Sequence, residues 1–118
     1  MTKSLIAVSL LACVLGGCAP SASQLANADY GPPISQARAE QIAEALISSN
    51  LKDPASARFT WFPIEKGWAF KPWYMGYKYG YKLEGFVNAK NSFGAYAGKR
   101  DYWVLFRGEK VVGAGLGL

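Results

Sequence analysis

The spacing of apolar residues between positions 34 and 51 predicts one amphipathic helix. Ser35 precedes the periodic segment and is a suitable N-cap. The apolar positions that fall on one face at helical spacing are Ala39, Ile42, Ala43, Leu46 and Ile47. A helix with one apolar face has to pack against another element, so we expect it to cover one face of a sheet.

The segments after residue 57 read as β-strands separated by proline and glycine. The clearest is "GYKYGYKLEGFVNAK", in which Tyr77, Tyr79, Tyr81 and Leu83 alternate with lysine, glycine and glutamate. Within it, Gly85 predicts a bulge or bend, since the alternation is broken at the next residue. The preceding strands are predicted at "ARFTWFP" and "GWAFK".

The end of the chain predicts a hairpin. "DYWVLFRG" and "KVVGAGLGL" flank a turn at Gly108 and Glu109, and "YWVLF" is apolar on both faces, which indicates a central strand. The expected fold class is α+β, with one N-terminal helix packed on a four- to five-stranded, mainly antiparallel sheet.

The N-terminus has the features of a targeting segment. Lys3 supplies a positive charge, and the apolar stretch from Leu5 to Leu15 is too short to span a bilayer as a stable helix. It ends in "LGGC", which resembles the lipobox of bacterial lipoproteins. The resemblance implies cleavage before Cys18 and acylation of that cysteine, which anchors the chain to a membrane. Ala19 follows, whereas an Asp there often marks inner-membrane retention in that family, so we expect an outer-membrane lipoprotein.

These signals divide the chain into three parts. Residues 1–17 are the predicted signal peptide, and residues 18–33 are the lipidated cysteine and a flexible tether rich in small residues, Ser and Pro. Residues 34–118 form one small domain, which is just long enough to bury a core.

Composition narrows the possible chemistry. The chain has no His, and one of its two cysteines leaves with the signal peptide while the other carries lipid. This excludes a Cys/His metal site, a Ser-His-Asp triad and a Cys-His dyad. We therefore expect no enzyme activity, no metal and no cofactor. After loss of Lys3, twelve basic residues stand against eight acidic ones, which suits anionic envelope polymers but is also an ordinary surface charge.

The stretch "KPWYMGYKYGYK" combines aromatic residues with lysines. Its centre lies between Pro72 and Gly76, so we expect a hairpin tip that is difficult to bury. The candidate partner-binding residues are Lys71, Trp73, Tyr74, Met75, Tyr77 and Lys78. The alternatives are that the tip contacts a partner or membrane, or that it folds back onto the sheet as core. Nucleic acid is not expected as a partner in the cell envelope.

Two further stretches, "LKDPASARF" and "VNAKNSFGAYAG", resemble segments of a group of small bacterial envelope lipoproteins. The resemblance implies the compartment and a single small domain, and no established activity. In the second stretch, Asn88, Lys90, Asn91 and Gly94 could form an anion-binding loop. The alternative is an ordinary connection between strands in which the asparagines cap turns.

These observations predict a non-enzymatic, lipid-anchored envelope protein whose periplasmic or surface domain binds a protein or an anionic glycan. The alternative is an inhibitor module for a lysozyme-like hydrolase. Some bacterial lysozyme inhibitors are also small lipoproteins, but this chain lacks their usual disulfide.

Overall fold

The computed structural model describes residues 19–116. The predicted signal peptide and the predicted lipidation site, Cys18, lie outside the described residues. In the described part, the fold is α+β, with one main helix and a five-stranded antiparallel sheet. No helix of this part is long and apolar enough to cross a membrane.

The elements follow the predicted order, with one addition at the start. A short helix, α1, spans Ala22–Asn27, and the main helix, α2, spans Gln36–Ser48. The strands are β1 (Arg58–Trp61), β2 (Glu65–Phe70), β3 (Tyr77–Asn88), β4 (Arg100–Arg107) and β5 (Lys110–Leu116). Single 3₁₀ turns occupy Pro54–Ser56 and Pro72–Tyr74. Ser35 caps α2 as predicted, because its hydroxyl accepts a hydrogen bond from the backbone N–H of Arg38 (3.2 Å).

Strand β3 is the longest element of the sheet and organises it. β4 pairs with one edge of β3, and β5 pairs with β4, so β4 is the central strand that "YWVLF" predicted. β1 and β2 both pair with the other edge of β3, β2 near its beginning and β1 near its end. The turn at Gly108 joins β4 to β5, as predicted.

The main helix packs on the sheet through small residues. Ala39 and Ala43 are fully buried against Leu83, Val104 and Phe106, which are also fully buried. The two alanines let the helix approach the sheet closely, while the larger strand side chains fill the space between the layers.

The glutamine at the start of α2 bridges the gap between β1 and β2. Backbone pairing is interrupted at Pro63, which has no N–H to donate. The side-chain amide of Gln36 takes over: its Oε1 accepts from the N–H of Ile64 (2.7 Å), and its Nε2 donates to the carbonyl of Phe62 (3.1 Å). One side chain therefore satisfies two backbone groups at the break in the strand.

The bulge predicted at Gly85 is not present. The pairing register of β3 runs without interruption through Gly85 on both edges, opposite Trp61 and Tyr102. Glycine is needed there for a different reason, since a Cβ would collide with the carbonyl oxygen of Thr60. The sheet has its irregularity instead between Leu105 and Phe106 of β4, opposite β5.

The segment predicted as a flexible tether is more structured than expected. Helix α1 begins with a capping box formed by Ser21 and Gln24. Further along, Arg107 of β4 binds the carbonyl of Asp29 (2.7 Å), and Tyr30 packs edge-to-face on Tyr79 with ring centroids 5.7 Å apart. The chain therefore contacts the sheet well before residue 34, where the sequence places the domain boundary.

Candidate functional site

The β2–β3 hairpin ends in an exposed apolar tip, as the sequence predicts. We use "hairpin tip" for residues 71–76, which connect the two strands. The backbone N–H of Lys71 donates to the carbonyl of Gly76 (2.9 Å) and closes the loop. At its apex, Trp73 is 91% exposed and Met75 is 77% exposed. Two large apolar side chains exposed next to each other in one loop form a patch of the kind that marks interaction sites, whereas a single exposed apolar residue is ordinary.

The backbone at Trp73 adopts a conformation that bulky residues rarely take. The φ of Trp73 is +60°. Among the described residues, all others with a positive φ are glycines. This left-handed conformation costs a non-glycine residue roughly 1–2 kcal/mol. Strain of this kind at an exposed aromatic residue is typical of a functional position, since neither packing nor burial repays it there.

An aromatic cluster supports the hairpin tip from below. Tyr77 packs against Trp68 and Phe70, with ring centroids 5.4 and 5.6 Å away. Trp68 and Phe70 also meet edge-to-face at 5.2 Å. Tyr77 is half-buried in this cluster and so is placed to support the hairpin tip. The rings of the cluster hold the end of the hairpin in a fixed shape.

The structure separates the predicted lysines of this surface. Lys71 is exposed at the hairpin tip, but Lys78 is half-buried and runs across the sheet. A Cβ placed on Gly113 of β5 would lie 3.1 Å from Cε of Lys78. The structure therefore brings together Lys71, Trp73 and Met75. The side chain of Tyr74, another predicted member, lies outside the described part.

The predicted anion loop has its backbone amides largely engaged. Oδ1 of Asn91 accepts from the N–H groups of Phe93 (2.9 Å) and Ala95 (3.2 Å), and Oδ1 of Asn88 accepts from the N–H of Gly98 (3.1 Å). The N–H of Gly94 donates to the carbonyl of Asn91 (3.0 Å). This is the geometry of an ordinary connection between strands in which asparagines cap turns. An anion would have to compete with the asparagine oxygens for these N–H groups.

Lys90 of the same loop is held by a hydrogen bond and by a contact with an aromatic ring. Its backbone N–H donates to the hydroxyl of Ser56 (2.8 Å), and its ammonium lies 5.7 Å from the centre of the Tyr96 ring. The anion-binding role of Asn88, Lys90, Asn91 and Gly94 stays a prediction, and the geometry gives it no open cradle of N–H groups.

The stretches "LKDPASARF" and "VNAKNSFGAYAG" form one structural unit. Ser56 of "LKDPASARF" accepts from Lys90 of "VNAKNSFGAYAG", and its carbonyl accepts from the hydroxyl of Tyr96 (3.3 Å). Arg58 lies over the same ring, with its guanidinium carbon 4.2 Å from the centre. Ser56, Lys90 and Tyr96 therefore have a structural task, which is to fix the loop after β3.

The sequence reasoning did not single out Phe93, another exposed aromatic residue. Phe93 is 92% exposed at the end of the loop after β3, as bare as Trp73. The sequence could have predicted this exposure, because Phe93 lies between Ser92 and Gly94 in a turn. Unlike Trp73, Phe93 has no positive φ.

Charged groups in the described part form few close clusters. Residues 19–116 contain no group of three His, Cys, Asp or Glu side chains that could hold a metal ion. Arg38 pairs with Glu109 (2.9 Å), and Arg107 pairs with Asp29 (3.3 Å). The N–H of Gly31 and then the charge of Arg107 lower the pKa of Asp29 below its usual value.

Comparison of the chain with protein-family models, with curated proteins and with solved structures gives no match.

Proposed function

We propose that this protein is a non-enzymatic, lipid-anchored protein of the bacterial envelope whose folded domain binds a protein partner through the hairpin tip. In this proposal Cys18 carries the anchor, and the main helix stands at the N-terminus of the folded domain. The observation that carries the proposal is the strained, 91% exposed Trp73 at the apex of a hairpin supported by packed aromatic rings.

The shape and chemistry of the hairpin tip favour a protein over a glycan at this position. The tip projects from the sheet and presents an indole and a thioether, which fill apolar pockets. Sugars are recognised through many hydrogen bonds. From Lys71 to Gly76, Lys71 carries the one charged side chain, so the hairpin tip offers few groups that could hydrogen-bond a sugar. The partner is therefore expected to offer an apolar pocket with an acidic group beside it.

The anchor and the hairpin tip lie towards the same end of the sheet in this proposal. Asp29 binds Arg107 at the end of β4, and Tyr30 packs on Tyr79, only a few residues from the tip. The chain from Cys18 to Asp29 spans at most roughly 40 Å when extended. A partner of the tip would thus be met close to the membrane surface.

A capture experiment with matched variants tests both parts of the proposal. Cys18→Ser should move the protein from the membrane fraction to the soluble fraction, because the acylated thiol is removed. A double variant, Trp73→Ala with Met75→Ala, should stay in the membrane fraction but lose a protein that is captured from gently solubilised envelopes by the wild type. Phe93→Ala is the control, since it removes an equally exposed aromatic residue elsewhere.

Two results would contradict the proposal. If Cys18→Ser fractionates with the membrane as the wild type does, the proposed anchor at Cys18 is wrong. If the wild type and the folded double variant capture the same proteins, the hairpin tip is not the contact surface.

A further inference from the structure

The break between β1 and β2 opens a cleft on the edge of the sheet. We call it the strand-break cleft; the residues of its wall that matter here are Phe62, Glu65, Gly67, Trp68, Lys82 and Glu84. Its volume is about 360 Å³. Sites for small ligands run from about 300 to 1,000 Å³, so the cleft has room for one or two sugar-sized groups.

The walls of the cleft are held in place before any ligand arrives. The amide of Gln36 fixes the chain on both sides of Pro63, and the N–H of Phe62 donates to the carbonyl of Glu84 (2.9 Å). Gly67 leaves room for Lys82, whose Cβ would be only 2.7 Å from a Cβ at that position. A preformed cleft binds with less loss of conformational entropy than a flexible one.

Aromatic side chains form one part of the wall. Phe62 is 52% exposed, although it meets Phe86 edge-to-face at 6.1 Å, and Trp68 is half-buried. An exposed ring beside a concave surface offers an apolar platform for the C–H groups of a ligand.

Polar groups of both kinds complete the wall. Glu65 and Glu84 are exposed, and neither has an ion-pair partner within the described part of the chain. Their carboxylates can only accept hydrogen bonds when ionised. Lys82 supplies donors: its ammonium gives one hydrogen bond to the carbonyl of Trp68 (3.2 Å) and lies 4.8 Å from the centre of the Trp103 ring, which leaves other N–H groups for a ligand.

We propose that the strand-break cleft binds a neutral saccharide. A hydroxyl group both donates and accepts, so one sugar ring can donate to Glu65 or Glu84 and accept from Lys82 while its C–H face packs on Phe62. The wall carries two glutamates and two lysines, Lys66 and Lys82, so a phosphate or carboxylate group gains no net electrostatic attraction there. The ammonium of Lys66 also lies over the ring of Tyr30, at 5.3 Å.

This site is separate from the hairpin tip. The cleft is centred at the beginning of β2, and the hairpin tip follows the end of that strand. Trp68 belongs both to the wall of the cleft and to the aromatic cluster under the tip, so the tests change Phe62, which lies nine residues before Lys71. The inference does not rest on a protein partner at the tip, and each site can be removed without the other. It also changes the expected glycan, from the anionic one that overall charge suggested to a neutral one.

Saturation-transfer NMR with the full chain tests the inference. The protein is held in a polyoxyethylene detergent, because detergents with sugar head groups would compete for the cleft. The probes are cellotetraose and chitotetraose, which are neutral, with tetragalacturonate as the anionic control and triglycine as a zwitterionic peptide control. We expect saturable binding of at least one neutral tetrasaccharide, and binding of the anion weaker by roughly fivefold or more.

Four variants locate the binding. Phe62→Ala should weaken the neutral tetrasaccharide roughly fivefold, and Phe62→Leu should weaken it as well, since leucine keeps apolar volume but has no ring face. Phe93→Ala and the double variant at the hairpin tip should bind like the wild type. The inference is overturned if neither neutral sugar binds saturably, if folded Phe62→Leu binds unchanged, or if the anion or triglycine binds more tightly than the sugars.

Discussion

At the scale of single residues, Trp73 is the position where local energetics and exposure conflict most. A packed residue with a positive φ can be stabilised by its neighbours, but Trp73 is 91% exposed. The fold therefore gains little from the indole and loses stability through its backbone conformation. A contact made outside the domain would explain why a large aromatic residue stands there.

The stability of two substitutions at Trp73 should reveal this strain. Trp73→Gly should be more stable than Trp73→Ala by roughly 1 kcal/mol, because only glycine adopts the left-handed conformation without cost. Urea unfolding of the two variants measures the difference. The same pair at Phe93, whose φ is not positive, should give the opposite order. An alanine variant at 73 that equals the glycine variant would show that the backbone there is not strained.

At the scale of elements, the break between β1 and β2 is the feature on which the sheet edge and the cleft both depend. A proline interrupts the pairing, and the amide of Gln36 from α2 replaces the missing backbone partners. Helix and sheet are thus joined at this point by hydrogen bonds as well as by the apolar core.

Removing the side-chain amide of Gln36 should destabilise the domain more than the partial exposure of this residue suggests. Gln36→Ala should cost about 1–3 kcal/mol of unfolding free energy, since the N–H of Ile64 loses its acceptor. Gln41→Ala is the matched control on the same helix, where the exposed amide only accepts from Arg38 (2.7 Å). Urea unfolding gives the free energies, and faster hydrogen exchange at Ile64 would locate the effect. Equal losses in both variants would contradict this account of the break.

The sequence predicted the elements where a local rule decides their position. Helical spacing with Ser35 as N-cap located α2, and alternation located most of β3. The alternation rule gave a wrong prediction at Gly85. The close approach of Thr60 requires a glycine there, and a glycine inside a strand pattern also predicts a bulge. The hairpin tip could be predicted from Pro72 and Gly76 flanking apolar residues. The strand-break cleft could not, since it depends on a glutamine from the helix reaching the gap beside Pro63.

At the scale of the whole molecule, the segment before the main helix is bound to the sheet. The N–H of Gly108 donates to the carbonyl of Pro32 (2.7 Å), and Arg107 contacts Asp29 and Tyr79 through the same guanidinium. Sequence reasoning treated residues 18–33 as a tether because small residues and prolines lack a periodic pattern, and these contacts depend on partners about 75 residues away. The segment therefore fixes the direction in which the chain leaves the domain.

The attachment of this segment should depend on pH through Asp29. The pKa of Asp29 is lowered from 3.8 by the N–H of Gly31 and by Arg107, so its ionised form is favoured in the folded state. Its contribution is complete above the ordinary pKa and is lost as the pH falls through the lower, folded value. Asp29→Asn should therefore be less stable than the wild type at pH 7, and the difference should shrink below pH 3.8 and vanish only below the lower pKa of the folded state. Urea midpoints across this range measure it, and a difference independent of pH would contradict the assignment.

The central claim is that the hairpin tip is a contact surface for a protein, and crosslinking from the tip itself tests it most directly. A photoreactive phenylalanine analogue replaces Trp73 in cells, and the same analogue at Phe93 serves as the control. We expect irradiation to give a discrete protein adduct from position 73 that is absent from position 93, because position 73 lies at the strained apex of the hairpin tip and position 93 does not. Adducts to lipid alone, no adduct, or the same protein adduct from both positions would contradict the claim.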